Sequence, residues 1–252
     1  MKIRDFGFLA GGLAALMLTL MPVRSVAQQP EGKGKGAPKA AQKKGPEGPT
    51  PKTADGKPDF SGVWDPGGQF MLMGGPPPLQ EWAAKVLKER RDTLSKDDPE
   101  GFCLPAGVPR ISPFPYKIIQ TAAEMVILDE GNIHSFREVY IGREHPKDPD
   151  PLWMGHSVAK WEGDTLVVDS VGFNDKTWLT GQGVPHTEKL HVIEKFSRPD
   201  LGTLKIEVTI EDPGAFTAPH TFTRTHILMP GADLLEYVCN EFNVDKDHLV
   251  GK

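Results

Sequence analysis

The chain has 252 residues, of which 38% are hydrophobic, and carries a formal net charge of −5. That content supports one domain of ordinary size, and no basic stripe interleaved with aromatic residues crosses its body, which argues against a nucleic-acid partner. Its 27 glycines and 24 prolines suit short strands joined by many turns better than a helical fold.

The N-terminus reads as an address. Lys2 and Arg4 precede an apolar run from Phe6 to Val23, and Ser25-Val26-Ala27 places small residues where a signal peptidase cuts. A signal peptide over residues 1–27 is expected, and with it a periplasmic or secreted protein. Gly11, Gly12 and Pro22 interrupt the run and weigh against the alternative, a retained membrane anchor. No later stretch approaches spanning length, so no stable membrane span is expected once the signal is removed. Residues 28–58 then collapse to Gly, Pro, Ala, Lys and Gln, with seven lysines between Lys33 and Lys57. With no apolar surface to bury, this stretch predicts a disordered linker; a contact with an anionic surface is its sharper alternative.

The folded domain is expected over 59–252. Pro58-Asp59-Phe60-Ser61 leads into Gly62-Val63-Trp64 at the start of the first strand. This triplet resembles the opening signature of lipocalins and their calycin relatives, in which the Trp closes one end of a β-barrel. A helix follows over 79–94, where Leu79, Trp82, Ala83, Val86, Leu87 and Arg90 share one face at spacings of three and four. Residues 97–115 are irregular and punctuated by proline.

From Tyr116 the pattern turns to strands, near 116–121, 124–130, 133–141, 155–161, 164–171, 189–196, 203–211, 220–229 and 233–240. Glu130-Gly131-Asn132, Glu162-Gly163-Asp164, Asp200-Leu201-Gly202 and Pro230-Gly231-Ala232 fall between them as turns. No helix intervenes, which excludes parallel βαβ folds and their nucleotide sites. Leu204, Ile206, Val208 and Ile210 alternate with Lys205, Glu207, Thr209 and Glu211, giving one dry face and one wet face. An all-β, antiparallel meander closing into a calycin-like barrel is expected, with a two-sheet sandwich as the runner-up. Outside the cytoplasm, Cys103 and Cys239 suggest a disulfide; free thiols are the alternative, and neither cysteine has the spacing of a CxxC metal site.

Three groups of residues could carry function. On the strand at 220–229, His220, Phe222, Arg224, His226 and Leu228 share a face. If that face looks inward, it would need polar partners, which Glu236 and Asn240 on the next strand could supply. Together with Trp178 over the mouth, these residues would bind a small organic ligand, most simply an anionic or hydroxylated one.

The second group is the loop 172–185 and its exit, where His186 and Glu188 could act as acid and base with Asn174 and Asp175 orienting them. That would make the protein a lyase, isomerase or hydrolase without an organic cofactor. The third is a metal held by His186, Glu188 and His191 with His134 or His156, although this spacing matches no established metal motif. Gly155-His156-Ser157-Val158-Ala159 resembles a nucleophile elbow, but a hairpin follows it where that motif requires a helix. A structural role at the cell envelope, resting on the Lys-rich stretch, is a further reading.

Several segments taken together, DGKPDFSGVW (55–64), PFPYKIIQT (113–121), the stretch 136–179, PHTEKLHVIEKF (185–196), IEDPGAFTAPHTF (210–222) and LLEYVCNEF (234–242), resemble a large family of exported, poorly characterised bacterial proteins that open with a PDFSGVW-type motif. The resemblance implies a small β-rich scaffold shared among paralogues with variable ligands, and it carries no reaction.

Overall fold

The computed structural model describes residues 44–67, 74–110, 114–131 and 135–239. The expected signal peptide, most of the expected linker, His134 and Asn240 lie outside these residues.

Nine strands among the described residues close into a barrel in sequence order. They are β1 (Gly62–Asp65), β2 (Tyr116–Gln120), β3 (Glu124–Asp129), β4 (Phe136–Ile141), β5 (His156–Glu162), β6 (Thr165–Val171), β7 (His191–Asp200), β8 (Thr203–Glu211) and β9 (His220–Leu228). The alternation that marks them in sequence is the alternation seen in burial. On β8, Leu204, Ile206, Val208 and Ile210 point into the core, while Lys205 is exposed and Glu207, Thr209 and Glu211 are half-buried. Closure removes the open edges that a sheet of this length would otherwise present.

One feature departs from an antiparallel meander. β1 and β9 close the ring antiparallel, and an odd number of strands cannot alternate in direction all the way round. One neighbouring pair must therefore run parallel, and it is β4–β5. The connection between them, residues 142–155, carries Pro146, Pro149 and Pro151 and returns the chain to the end from which β4 started, as a parallel pair requires.

The end of the barrel near Gly62 is sealed by aromatic side chains. Trp64 is fully buried and its indole N–H donates to the Phe60 carbonyl at 2.9 Å. The Arg198 guanidinium lies over the Trp64 ring at 4.9 Å and donates to the carbonyls of Asp59 and Leu201. Phe60 stacks on Trp161 at 5.7 Å. Residues 44–58 run against this end: Thr50 donates to the Arg198 carbonyl, Lys52 pairs with Asp164, and Leu201 N–H donates to the Gly48 carbonyl. The disordered linker expected over 28–58 thus has an ordered final portion, fixed by backbone and ion-pair contacts that composition does not reveal.

At the opposite end, α1 (Glu81–Asp92) buries Ala83 and Leu87. It packs on loops rather than on the sheet: Trp82 donates to the Gly214 carbonyl at 2.8 Å, and Arg90 donates to the Gly183 carbonyl at 3.0 Å. The strand expected over 233–240 does not form within the described residues, because the edge of β9 it would need is taken by β1. The chain instead runs on as an extended tail. Leu235 N–H donates to Glu130 at 2.9 Å, Phe114 and Tyr237 pack at 5.7 Å, and Cys103 is disulfide-bonded to Cys239.

Candidate functional site

The barrel interior is not uniformly apolar. Its inward positions include Arg137 on β4, Ser157 on β5, Ser170 on β6, Glu194 on β7 and Arg224 and His226 on β9, all buried. Strand parity forces this: Val139 inward on β4 turns Arg137 inward, and Val192 and Phe196 on β7 do the same for Glu194. Buried charge needs partners. Arg137 finds Glu194 at 2.6 Å and donates to Ser157 at 3.0 Å and to Ser170 at 2.7 Å. The two serine hydroxyls are 2.9 Å apart.

Arg224 is less well served. One terminal nitrogen donates to the Pro109 carbonyl, while among the described residues the buried Nε and Nη2 find no hydrogen-bond acceptor, nor does His226 Nε2, and Glu194 Oε2 likewise makes no hydrogen bond beside its ion pair with Arg137. Burial lowers the Arg224 pKa to about 10, so the guanidinium is charged at neutral pH. Burial, reinforced by Arg224, lowers His226 to about 3, so that imidazole is neutral. Tyr116 hydrogen-bonds to His226 Nδ1, and burial pushes the phenol pKa well up. The phenol therefore keeps its proton and donates it to Nδ1, which leaves the imidazole proton on Nε2. Three orphaned donors result: the Nε–H and Nη2–H of Arg224 and the Nε2–H of His226.

These groups line a cavity of ≈ 40 Å³, as swept by the centre of a water-sized sphere, with Val108, Ile127, Met154, Phe196 and Ile206 forming its apolar walls. Asp129 also lines it, and burial raises that carboxyl to about 7, so it is largely neutral below that pH. Arg137 and Glu194 cancel, and Arg110 is held at the rim by Asp98 and Glu100.

Of the residues expected from sequence to bind a ligand, Arg224 and His226 line the cavity and His220, Glu236 and Trp178 do not. His220 stands at the start of β9, 5.9 Å from the Phe222 ring. Glu236 is exposed on the tail, and Asn240 is outside the described residues. Trp178 is buried beneath Arg90, whose guanidinium lies 4.3 Å from the ring, so it packs the loop against α1.

The expected acid–base group is not assembled. His186 is buried, its Nδ1–H donates to the Thr187 carbonyl at 3.1 Å, and its Nε2 accepts from Thr177 at 2.7 Å; burial lowers its pKa. Glu188 and Asp175 are exposed, and Asn174 accepts from the Lys176 N–H. His191 lies apart from His186 and Glu188, on the outer wall with Asp169 and Glu211. Among the described residues no group of three or more His, Cys, Asp or Glu converges to hold a metal ion. Tyr116, Asp129, Arg137 and Glu194 belong to the cavity although sequence reasoning missed them; the parity of Val139, Val192 and Phe196 was the signal available for two of them.

A second polar chain runs along the outside of β5 to β8. His156 and His145 meet through their Nδ1 atoms at 2.9 Å, and His145 Nε2 reaches Asp169 at 2.9 Å. Asp169 also meets His191 Nε2 at 3.0 Å, and His191 Nδ1 reaches Glu211 at 3.2 Å. This chain ties the β4–β5 connection, which carries His145, to the barrel wall. No protein-family model matches the sequence, and no curated protein matches it.

Proposed function

We propose that this is an exported barrel protein that binds a small organic carboxylate in its interior, with the acid group held by Arg224 and His226. The observation that carries the reading is the set of three buried donors, Arg224 Nε and Nη2 and His226 Nε2, which belong to two residues lining one cavity and have no acceptor among the described residues. Nε and Nη2 lie on one edge of the guanidinium and form the fork that takes both oxygens of a carboxylate. A single carboxylate would satisfy the fork through both of its oxygens. Export is supported by the N-terminal pattern and by the Cys103–Cys239 disulfide. The lipocalin-like opening at Gly62-Val63-Trp64 supports a binding role on this scaffold.

The test is calorimetric titration of the purified full chain with acetate and propionate, repeated with Arg224→Met and His226→Gln. Arg224→Met is expected to weaken binding about thirtyfold or more, from the strength of charge-assisted hydrogen bonds, and His226→Gln to weaken it less. Carboxylate binding that ignores Arg224→Met in a folded variant, or no binding by the wild type, would overturn the reading.

A further inference from the structure

We infer that the ligand extends beyond the barrel: a side opening between β4 and β5 leads from the cavity to an outer groove, and the bound acid carries an apolar alkyl or aryl body that lies there. This inference rests on the carboxylate reading above. Its starting point is volume. A cavity of ≈ 40 Å³ accepts a few water-sized groups, enough for an acid group and too little for a ring.

The wall is weakest beside this cavity. β4 begins at Phe136 but pairs with β5 only through Val139↔Ser157, Tyr140↔Val158 and Ile141↔Ala159. Phe136, Arg137 and Glu138 thus have no ladder partner on the β5 side. Arg137 crosses the gap with its side chain, through its bonds to Ser157 and Ser170. Outside this seam lies a groove of ≈ 190 Å³ on the same measure, lined by Phe136, Tyr140, Leu152 and His156 among others. Arg137 and Met154 line both the groove and the inner cavity, so the two spaces share a partition made of two side chains.

The rim chemistry identifies what the groove accepts. Phe136 is 58% and Leu152 48% exposed, two apolar side chains standing in water along the groove. Met154 between them is unbranched and readily changes rotamer. An acid group clamped inside by Arg224 would send its substituent past Met154 onto Phe136 and Leu152, and that surface favours an apolar body over a sugar or a second charge.

The experiment compares propionate with 3-phenylpropionate, the same acid with a phenyl group added, on the full chain. The expected result is at least about tenfold tighter binding of 3-phenylpropionate, from burial of the ring. Phe136→Ser, at an exposed position that lines the groove alone, should erase that gain and leave propionate affinity within about twofold, and Met154→Trp, in the partition itself, should erase the gain as well. Equal affinity for the two acids with Arg224 dependence intact overturns the groove alone. A phenyl gain that responds to Met154→Trp but survives Arg224→Met overturns the inner acid site and keeps the groove as an apolar site. No binding of either acid overturns both.

Discussion

Arg137 and Glu194 meet at 2.6 Å inside the barrel, each with only 7% of its side chain exposed. The pair links β4 to β7 across the interior, and Arg137 also stitches the unpaired half of the β4–β5 seam through Ser157 and Ser170. Two charges of this kind are costly to bury and far costlier to leave alone. Glu194→Gln or Arg137→Met should each lower stability by about 3–5 kcal/mol, while the double variant Arg137→Met/Glu194→Leu should recover most of that. Urea denaturation of the three variants measures it, and a double variant as unstable as the sum of the singles would refute the coupling.

Asp129 and His226 titrate against each other. Burial raises Asp129 to about 7 from an unfolded value near 3.8. Its contribution is therefore fully present below about pH 4 and is lost as pH rises towards 7. Burial lowers His226 to about 3 from an unfolded value near 6.5. That contribution is fully present above about pH 6.5 and is lost as pH falls towards 3. Between pH 4 and 6.5 the two slopes oppose, each about 1.4 kcal/mol per pH unit for one proton. Asp129→Asn should make stability rise with pH across this window relative to the wild type, and His226→Gln should make it fall. Denaturation midpoints at several pH values decide the matter; shifts of the same sign in both variants would be fatal.

The Cys103–Cys239 disulfide closes a loop spanning 136 positions. Chain entropy assigns such a loop about 5 kcal/mol. It also holds the tail that brings Leu235 to Glu130 and Tyr237 to Phe114. The paired variant Cys103→Ser/Cys239→Ser should lose up to that amount in urea denaturation and become indifferent to reductant, and faster amide exchange at Leu235 should accompany the loss. Unchanged protection at Leu235 would show that the tail docks without the covalent tie.

How much of this could be read from sequence depends on which interactions are local. The β8 alternation and the Glu162-Gly163-Asp164 turn are local, so the strands and the hairpin they define were legible. Leu234, Glu236 and Val238 are spaced to share one face of a strand just as well, yet form no strand, because Trp64 and Asp65 already pair with Leu228 and Ile227; the vacancy of an edge is a property of the whole ring. The parallel β4–β5 pair is likewise a consequence of strand number. Arg224 and His226 were legible as a face, since one strand carries both. Arg137, Glu194 and Tyr116 come from three different strands, and only closure brings them together with Arg224.

His145 and His156 provide a further check, on the outer wall. Their Nδ1–Nδ1 contact is a hydrogen bond only when one nitrogen carries a proton and the other does not. His145 Nε2 faces the Asp169 carboxylate, which only accepts, so the His145 proton sits there and its Nδ1 is the acceptor. His156 must then carry its proton on Nδ1. Burial lowers the His156 pKa, and the neighbouring His145 lowers it further. Replacing His145 with Asn removes the second cause and leaves the first, so the His156 midpoint should rise without reaching the ordinary histidine value. Long-range nitrogen–proton NMR spectra should show the Nδ1–H tautomer for His156 in the wild type, and a titration of the same signals should show the upward shift in His145→Asn. An Nε2–H signal for His156, or a midpoint that falls, would mean that the chain from His156 to Glu211 is not wired in this order.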